Sequence, residues 1–248
     1  MAKTVRLKIA RRDNVHSPRY WQEFAVPYRA GMNVISALIE IQRHPVDAAG
    51  RTVKPVVWDS NCLEEVCGAC TMLINGKVRQ ACSALIDQLE QPITLEPMSK
   101  FPPVRDLIVD RGAMFDTLKK VRAWVPIDGS HHLGPGPKVA PAVQEKAYLF
   151  SRCMTCGCCM EACPQFNSHS PFIGPFTFGQ VTLFNSHPTG ALNKHERLDA
   201  IMGVGGLTDC GNAQNCVRAC PKEIPLTEAI GHLGWETTKR AFQRLLKE

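Results

Sequence analysis

Residues 151–164, SRCMTCGCCMEACP, hold five cysteines within eleven consecutive positions, which leaves little room for ordinary packing. Cys153, Cys156, Cys159 and Cys163 stand at C-x2-C-x2-C-x3-C-P. At that spacing three thiolates hold one iron–sulfur cluster and the fourth ligates a different one. Such a run demands a second cysteine segment, and residues 210–221, CGNAQNCVRACP, supply it. Cys210, Cys216, Cys220 and Pro221 match the same template, with Ala213 in place of its second cysteine. Crossing over gives one site of four thiolates, Cys153, Cys156, Cys159 and Cys220, and one of three, Cys163, Cys210 and Cys216. Four thiolates cap the irons of a 4Fe-4S cube, whereas three suit a cube lacking one iron, a 3Fe-4S cluster. Ala213 makes the difference.

A third group lies upstream in residues 61–82, where Cys62, Cys67, Cys70 and Cys82 are spaced C-x4-C-x2-C-x11-C. This is the plant-type 2Fe-2S pattern. Gly68 lets the backbone pass close to a cluster, and neighbouring amides can donate to its sulfurs. Asn75-Gly76, between TMLI and KVRQ, signals a two-residue hairpin that returns Cys82 to the loop. The three groups use all but one of the twelve cysteines. The remaining one, Cys158, would break both flanking gaps if it replaced Cys159, and reads as a small buried thiol beside the cluster. Soft thiolates at this spacing also suit structural zinc, which would leave the protein colourless. Arg218, between Cys216 and Cys220, is a candidate for tuning a cluster or for pairing with an acidic partner.

The elements that must position these cysteines follow from the apolar pattern. Val5, Leu7 and Ile9 alternate with Arg6 and Lys8, and Phe24, Val26 and Tyr28 alternate again, which predicts a hairpin of two half-buried strands. From Asn33, a plausible cap, Val34, Leu38 and Ile41 take helical spacing until His44-Pro45 stops the helix. Residues 102–111 close the first region, and a helix is expected over 114–124. Residues 125–141, rich in proline and glycine, read as a connector, with His131-His132 as solvent-exposed loop residues. Helices are expected over 142–152, which delivers Cys153, over 194–202 and over 227–247. The last places Ile230, Leu233, Thr237 and Ala241 on one face.

At 248 residues the chain can bury two modest cores. The expected division is 1–107, a connector over 108–141, and 142–248. Twelve cysteines in a chain of this size, with no basic-then-apolar segment over residues 1–17, point to metal-bound thiolates in a reducing compartment rather than to a disulfide scaffold. No apolar run is long enough to span a bilayer. The net charge of +6 is mild, with a denser patch at Lys119, Lys120 and Arg122, and no groove-reading motif supports a nucleic-acid partner. Neither a strand-linked G-x-G-x-x-G, a phosphate-binding G-x-x-x-x-G-K-[ST] nor a nucleophile elbow is present. The chemistry left is conduction of single electrons.

The order of the three motifs, with NCLEEVCGACTMLINGK, PVRDLIVDR, SRCMTCGCCMEACP and C-x5-C-x3-CP, resembles the iron–sulfur subunit of succinate dehydrogenase and fumarate reductase over nearly the whole chain. The resemblance implies an α+β architecture: an N-terminal β-grasp plant-type ferredoxin domain and a C-terminal all-α bacterial-type dicluster ferredoxin domain. It implies oxidation of succinate at FAD in a partner flavoprotein. Electrons would then pass through the 2Fe-2S, 4Fe-4S and 3Fe-4S clusters to a membrane subunit and quinone, with this chain peripheral on the cytoplasmic side of a bacterial cell membrane. Ubiquinone-reducing relatives carry tryptophans soon after the C-P and a histidine after the cysteine matching Cys210. Here Gln165, Phe166 and Asn167 follow the C-P and Gly211 follows Cys210. With NSHPTGA at 185–191, this resembles the menaquinone class with a single dihaem cytochrome b anchor. Fumarate reductase, the same conduit reversed, and a free-standing multi-cluster ferredoxin carrier are the competing readings.

Overall fold

The structure is a computed structural model that describes residues 4–126 and 136–246; His131 and His132 lie outside the described residues. The chain divides into two compact units, Met1–Arg111 with Met154–Glu161, and Gly112–Cys153 with Ala162–Glu248.

In the first unit, β1 (Thr4–Arg11) and β2 (Tyr20–Pro27) pair antiparallel from Thr4↔Pro27 to Arg11↔Tyr20, as the period-2 pattern predicts. Val5, Leu7 and Ile9 are buried from this hairpin, with Phe24 and Val26 opposite. Helix α1 (Val34–Arg43) starts at a capping box, in which Asn33 Oδ1 accepts from the Ser36 N–H and Ser36 Oγ accepts from the Asn33 N–H. It buries Val34, Ile35, Ala37, Leu38 and Ile41. Strands β3 (Thr71–Ile74) and β4 (Lys77–Gln80) are joined by Asn75-Gly76, both at positive φ (48° and 75°) as a type I′ hairpin requires. Strand β5 (Ile93–Glu96) completes a sheet of order β2-β1-β5-β3-β4, parallel only at β1–β5. A mixed five-stranded sheet sharing one core with a crossing helix is the β-grasp arrangement.

A small hairpin, β6 (Pro103–Arg105) and β7 (Ile108–Val109), turns at Asp106. The Asp106 carboxylate accepts from Arg11 Nε (2.9 Å) and from the backbone N–H groups of Arg12 and Val57. This pair is about 1% exposed and hydrogen-bonded on both sides, so neither charge is left unpaired.

The second unit is helical: α2 (Gly112–Lys120), α3 (Pro141–Ser151), α5 (Pro175–Ser186), α6 (Lys194–Met202), α7 (Asn215–Arg218) and α8 (Leu226–Leu245). The four-residue α4 (Cys158–Glu161) belongs to the first unit. Helix α2 stops before the expected 124 because Arg122 turns the backbone left-handed (φ 49°). Proline opens α3, as its fixed φ favours. Helix α5, buried continuously from Pro175 to Thr182, packs against α3 and α8. Arg197 of α6 is fully buried and donates to the backbone carbonyls of Arg122, Trp124 and Gly190, tying the end of the α2 segment to α6.

Candidate iron–sulfur centres

The loop before β3 is shaped to aim N–H groups at sulfur. Leu63 (φ 62°), Glu65 (55°) and Gly68 (73°) all take left-handed backbone, which bends the chain around Cys62. The Cys62 sulfur accepts from the N–H groups of Glu64 (3.4 Å), Val66 (3.3 Å) and Cys67 (3.3 Å), and Cys67 Sγ accepts from Ala69 (3.4 Å). Donors from Glu64 and Val66 pull the Cys62 thiol down to about 7, so its thiolate, the form that binds metal, is favoured. Cys70 and Cys82 sit at the start of β3 and after β4, the hairpin having brought them together. Burial first, and then the neighbouring Cys82 thiol, push Cys70 up to about 12. A deprotonated pair there needs a compensating positive centre. Thr71 Oγ1 and Arg111 Nη1 both donate to the Gly68 carbonyl and fix the loop's last turn. Arg111 was not foreseen from sequence, because its partner lies forty-three positions away.

The second motif begins against this loop. A Cβ on Gly68 would lie 2.6 Å from Cys156 Cβ and 2.8 Å from Cys156 Cα. Two ligand-bearing segments therefore meet backbone to backbone at a glycine. Helix α4 is held by Glu161, whose carboxylate accepts from Ser99 N, Ser99 Oγ and Lys100 N, a role its position in the motif did not announce. Cys156 is drawn down to about 7, first because Cys158 donates its S–H to it, while burial opposes this. Cys158, fully buried, is raised by that same bond and by burial. Its sulfur also accepts from Gln80 Nε2 at 3.4 Å. Of the four cysteines expected around 4Fe-4S, Cys156 and Cys159 belong to the first unit and Cys153 and Cys220 to the second. Cys220 Sγ accepts from the Ile224 N–H at 3.5 Å.

The three cysteines expected around 3Fe-4S all lie in the second unit. Cys216 is raised by burial, and the charges of Cys163 and Cys210 add to the shift, which puts the three thiols in one neighbourhood. Cys163 is packed in the cluster of Phe172, Ile173, Phe178, Val181 and Leu198, with Cys210 at its edge. Three thiols in an apolar core suit a cluster that shares charge among several irons better than separate thiolates. Ala213 is exposed between two left-handed residues, Asn212 (φ 50°) and Gln214 (φ 59°). Arg218 is exposed and bonds Asn215, not an acid. Among the described residues no group of three or more His, Cys, Asp or Glu side chains is placed to hold a single metal ion.

The 2Fe-2S iron–sulfur cluster binding domain family matches residues 6–116, and the 4Fe-4S dicluster domain family matches residues 149–224. The chain is 61% identical over 241 residues to the succinate dehydrogenase iron–sulfur subunit of Bacillus subtilis, covering 97% of this chain and 95% of that one. It is 28% identical to the fumarate reductase iron–sulfur subunit of Wolinella succinogenes, covering 88% and 89%. Among solved structures, a chain of the Mycobacterium smegmatis Sdh1 complex in the apo form superposes with a TM-score of 0.79 at 22% identity, covering 98% of both chains, a likeness of fold.

Proposed function

Because the chain belongs to the family of succinate dehydrogenase iron–sulfur subunits, we propose that it is the electron conduit between a dicarboxylate-oxidising flavoprotein and a membrane cytochrome. Its ligand sets are Cys62, Cys67, Cys70 and Cys82 for 2Fe-2S, Cys153, Cys156, Cys159 and Cys220 for 4Fe-4S, and Cys163, Cys210 and Cys216 for 3Fe-4S. When bound, these clusters supply one-electron steps that split the two-electron oxidation of succinate at FAD. The observation that carries the reading is the contact of Gly68 with Cys156, which abuts the first ligand loop on the second. A path for electrons needs successive centres close together, and a glycine there removes the side chain that would separate them. The chain's own contribution is to hold thiolates, to aim N–H groups at Cys62 and Cys67, and to keep Cys163 and Cys216 away from water.

Direction is read from likeness, 61% to a succinate dehydrogenase subunit against 28% to a fumarate reductase subunit. The anchor is a dihaem cytochrome b, the quinone is menaquinone, and the site of action is the cytoplasmic side of the bacterial cell membrane. Support for menaquinone is local: the space a side chain at Gly211 would fill is occupied by the Gln165 amide, so no imidazole fits there unless Gln165 moves. Spin-resonance spectra of the purified complex test the assignment. Succinate should reduce the 2Fe-2S and 3Fe-4S signals in a preparation that contains flavin and two haems and oxidises succinate faster than it reduces fumarate. A subunit that purifies alone without flavoprotein or haem, or one that contains zinc, would overturn it.

A further inference from the structure

Arg111 ends the first stretch of the sheet-bearing unit, and its guanidinium reaches back to the loop before β3, where Nη1 donates to the Gly68 carbonyl at 2.9 Å. Among the described residues it pairs with no carboxylate, so the charge facing that oxygen is not cancelled. The same oxygen accepts from Thr71 Oγ1 at 2.7 Å. Thr71 is buried, and Gln80 Nε2 donates to its hydroxyl oxygen at 3.0 Å. An amide nitrogen only donates, so the single hydroxyl proton of Thr71 is left for Gly68. Both lone pairs of one loop carbonyl are thus taken, one by a cation and one by an aligned hydroxyl. What they act on lies across the same peptide. This peptide is trans, so its C=O and N–H point in opposite directions. Its N–H is that of Ala69, which donates to Cys67 Sγ at 3.4 Å. The bonds therefore run in one line, from Arg111 through the peptide between Gly68 and Ala69 to a ligand sulfur.

We propose that Arg111 is a positioning residue that raises the reduction potential of the 2Fe-2S cluster: it polarises the peptide between Gly68 and Ala69, whose N–H donates to the Cys67 thiolate. This rests on the assignment of Cys67 to that cluster. Hydrogen bonds in series strengthen one another, by about 10–30% per bond. A bond from an ionised donor is about twice as strong as one between neutral groups. A carbonyl pulled by a guanidinium therefore makes its own N–H a better donor. A stronger donor at a ligand sulfur withdraws negative charge, which stabilises the cluster more after it has gained an electron. The field of the guanidinium acts with the same sign, because reduction adds negative charge close to a fixed cation. Thr71 pulls on the same oxygen without a charge, so its share is the smaller one. Gly68 holds the peptide in this orientation with a φ of 73°.

Redox titration of the assembled complex, followed by spin resonance, tests this with Arg111→Met, Arg111→Lys and Thr71→Val. Arg111→Met keeps much of the side chain's length and removes its charge. It should move the 2Fe-2S midpoint to lower potential, and by more than it moves the 4Fe-4S and 3Fe-4S midpoints. The reduced-to-oxidised ratio of the 2Fe-2S cluster at fixed potential should fall several-fold; tenfold corresponds to about 59 mV for one electron. Arg111→Lys keeps a cationic donor and should recover most of the shift. Thr71→Val removes only a neutral donor and should give a smaller shift of the same sign. Loss of bracing alone would lower the melting temperature of the complex without singling out one midpoint. A 2Fe-2S midpoint unchanged or raised in Arg111→Met with its resonance intact, or an equal shift of all three midpoints, overturns the proposal. If Arg111→Met does not assemble, Thr71→Val decides by the same midpoint. Absence of any 2Fe-2S signal from the unaltered complex would overturn the ligand assignment itself, a result distinct from an unmoved midpoint.

Discussion

At the scale of single residues, the proposed difference between a four-thiolate and a three-thiolate site rests on Ala213. Replacing it by cysteine restores C-x2-C-x2-C over residues 210–216, and Ala213→Cys is expected to convert 3Fe-4S to 4Fe-4S and to slow electron flow to quinone. A correctly assembled variant that keeps its oxidised 3Fe-4S resonance would refute this. Gly68 tests the junction between motifs. Alanine there must adopt a left-handed φ of 73°, which costs about 1–2 kcal/mol, and must also place a Cβ 2.6 Å from that of Cys156. Gly68→Ala should therefore lower the melting temperature and perturb the 2Fe-2S resonance, measurable on the purified complex. The proposed ligand residues are read from the sequence because cluster spacing is a local property, written mostly in gaps of two to five residues. Residues that brace these segments are not. Gln80, Arg111 and Glu161 act on partners forty-three to seventy-eight positions away, and no local pattern records such pairings.

At the scale of elements, period-2 alternation found β1 and β2, the Asn33 cap and His44-Pro45 stop bounded α1, and Asn75-Gly76 placed the β3–β4 turn. Helix α6 falls on its expected residues, and α8 ends within two residues of its expected end. Helix α5 left no such mark. It is covered by α3 on one side and α8 on another, so eight consecutive residues are buried and the apolar stripe that reveals a surface helix is missing. Helix α4 is too short for periodicity and is set by Glu161 instead. Arg197 shows how the helical unit is tied together: a buried cation that has no acid within bonding distance among the described residues and is satisfied by three backbone carbonyls and Asn185 Oδ1. Burial lowers its pKa from the ordinary arginine value. Arg197→Leu should cost about 3–5 kcal/mol, since it strands several buried acceptors at once. Lys at 197 would reach fewer of them and rescue only part. Urea unfolding of the two variants measures both; a loss below 1 kcal/mol in Arg197→Leu would show that the carbonyls find other donors.

At the scale of the whole molecule, no helix of the described residues is long and apolar enough to cross a membrane. Helix α8, the longest, carries charged residues along its length and leaves Trp235, Phe242 and Leu245 exposed. Cys163 lies in the core of the helical unit with Cys210 packed at its edge, and the segment that follows Cys163 includes Gln165, Phe166 and Asn167. If quinone were bound with help from this segment, it would need a donor aimed outward. Phe166 offers none, and it packs partly buried against the core that contains Cys163. Gln165 fills the space beside Gly211, so that position also offers no titrating group. On the proposed function the quinone site belongs to the cytochrome, with haem as the next acceptor after the three-thiolate cluster. Phe166→Ala is accordingly expected to leave menaquinone affinity within about twofold of the parent, which is under 0.5 kcal/mol of binding. Its cost should appear in stability, because truncating a partly buried phenylalanine forfeits about 1–3 kcal/mol of packing, and Phe166→Leu should recover much of it. Inhibitor titration of succinate–quinone activity in membranes measures the affinity, and thermal unfolding of the complex measures the packing. A large loss of quinone affinity in both variants, with all three cluster resonances intact, would place the quinone against this chain and overturn the assignment of its site to the cytochrome.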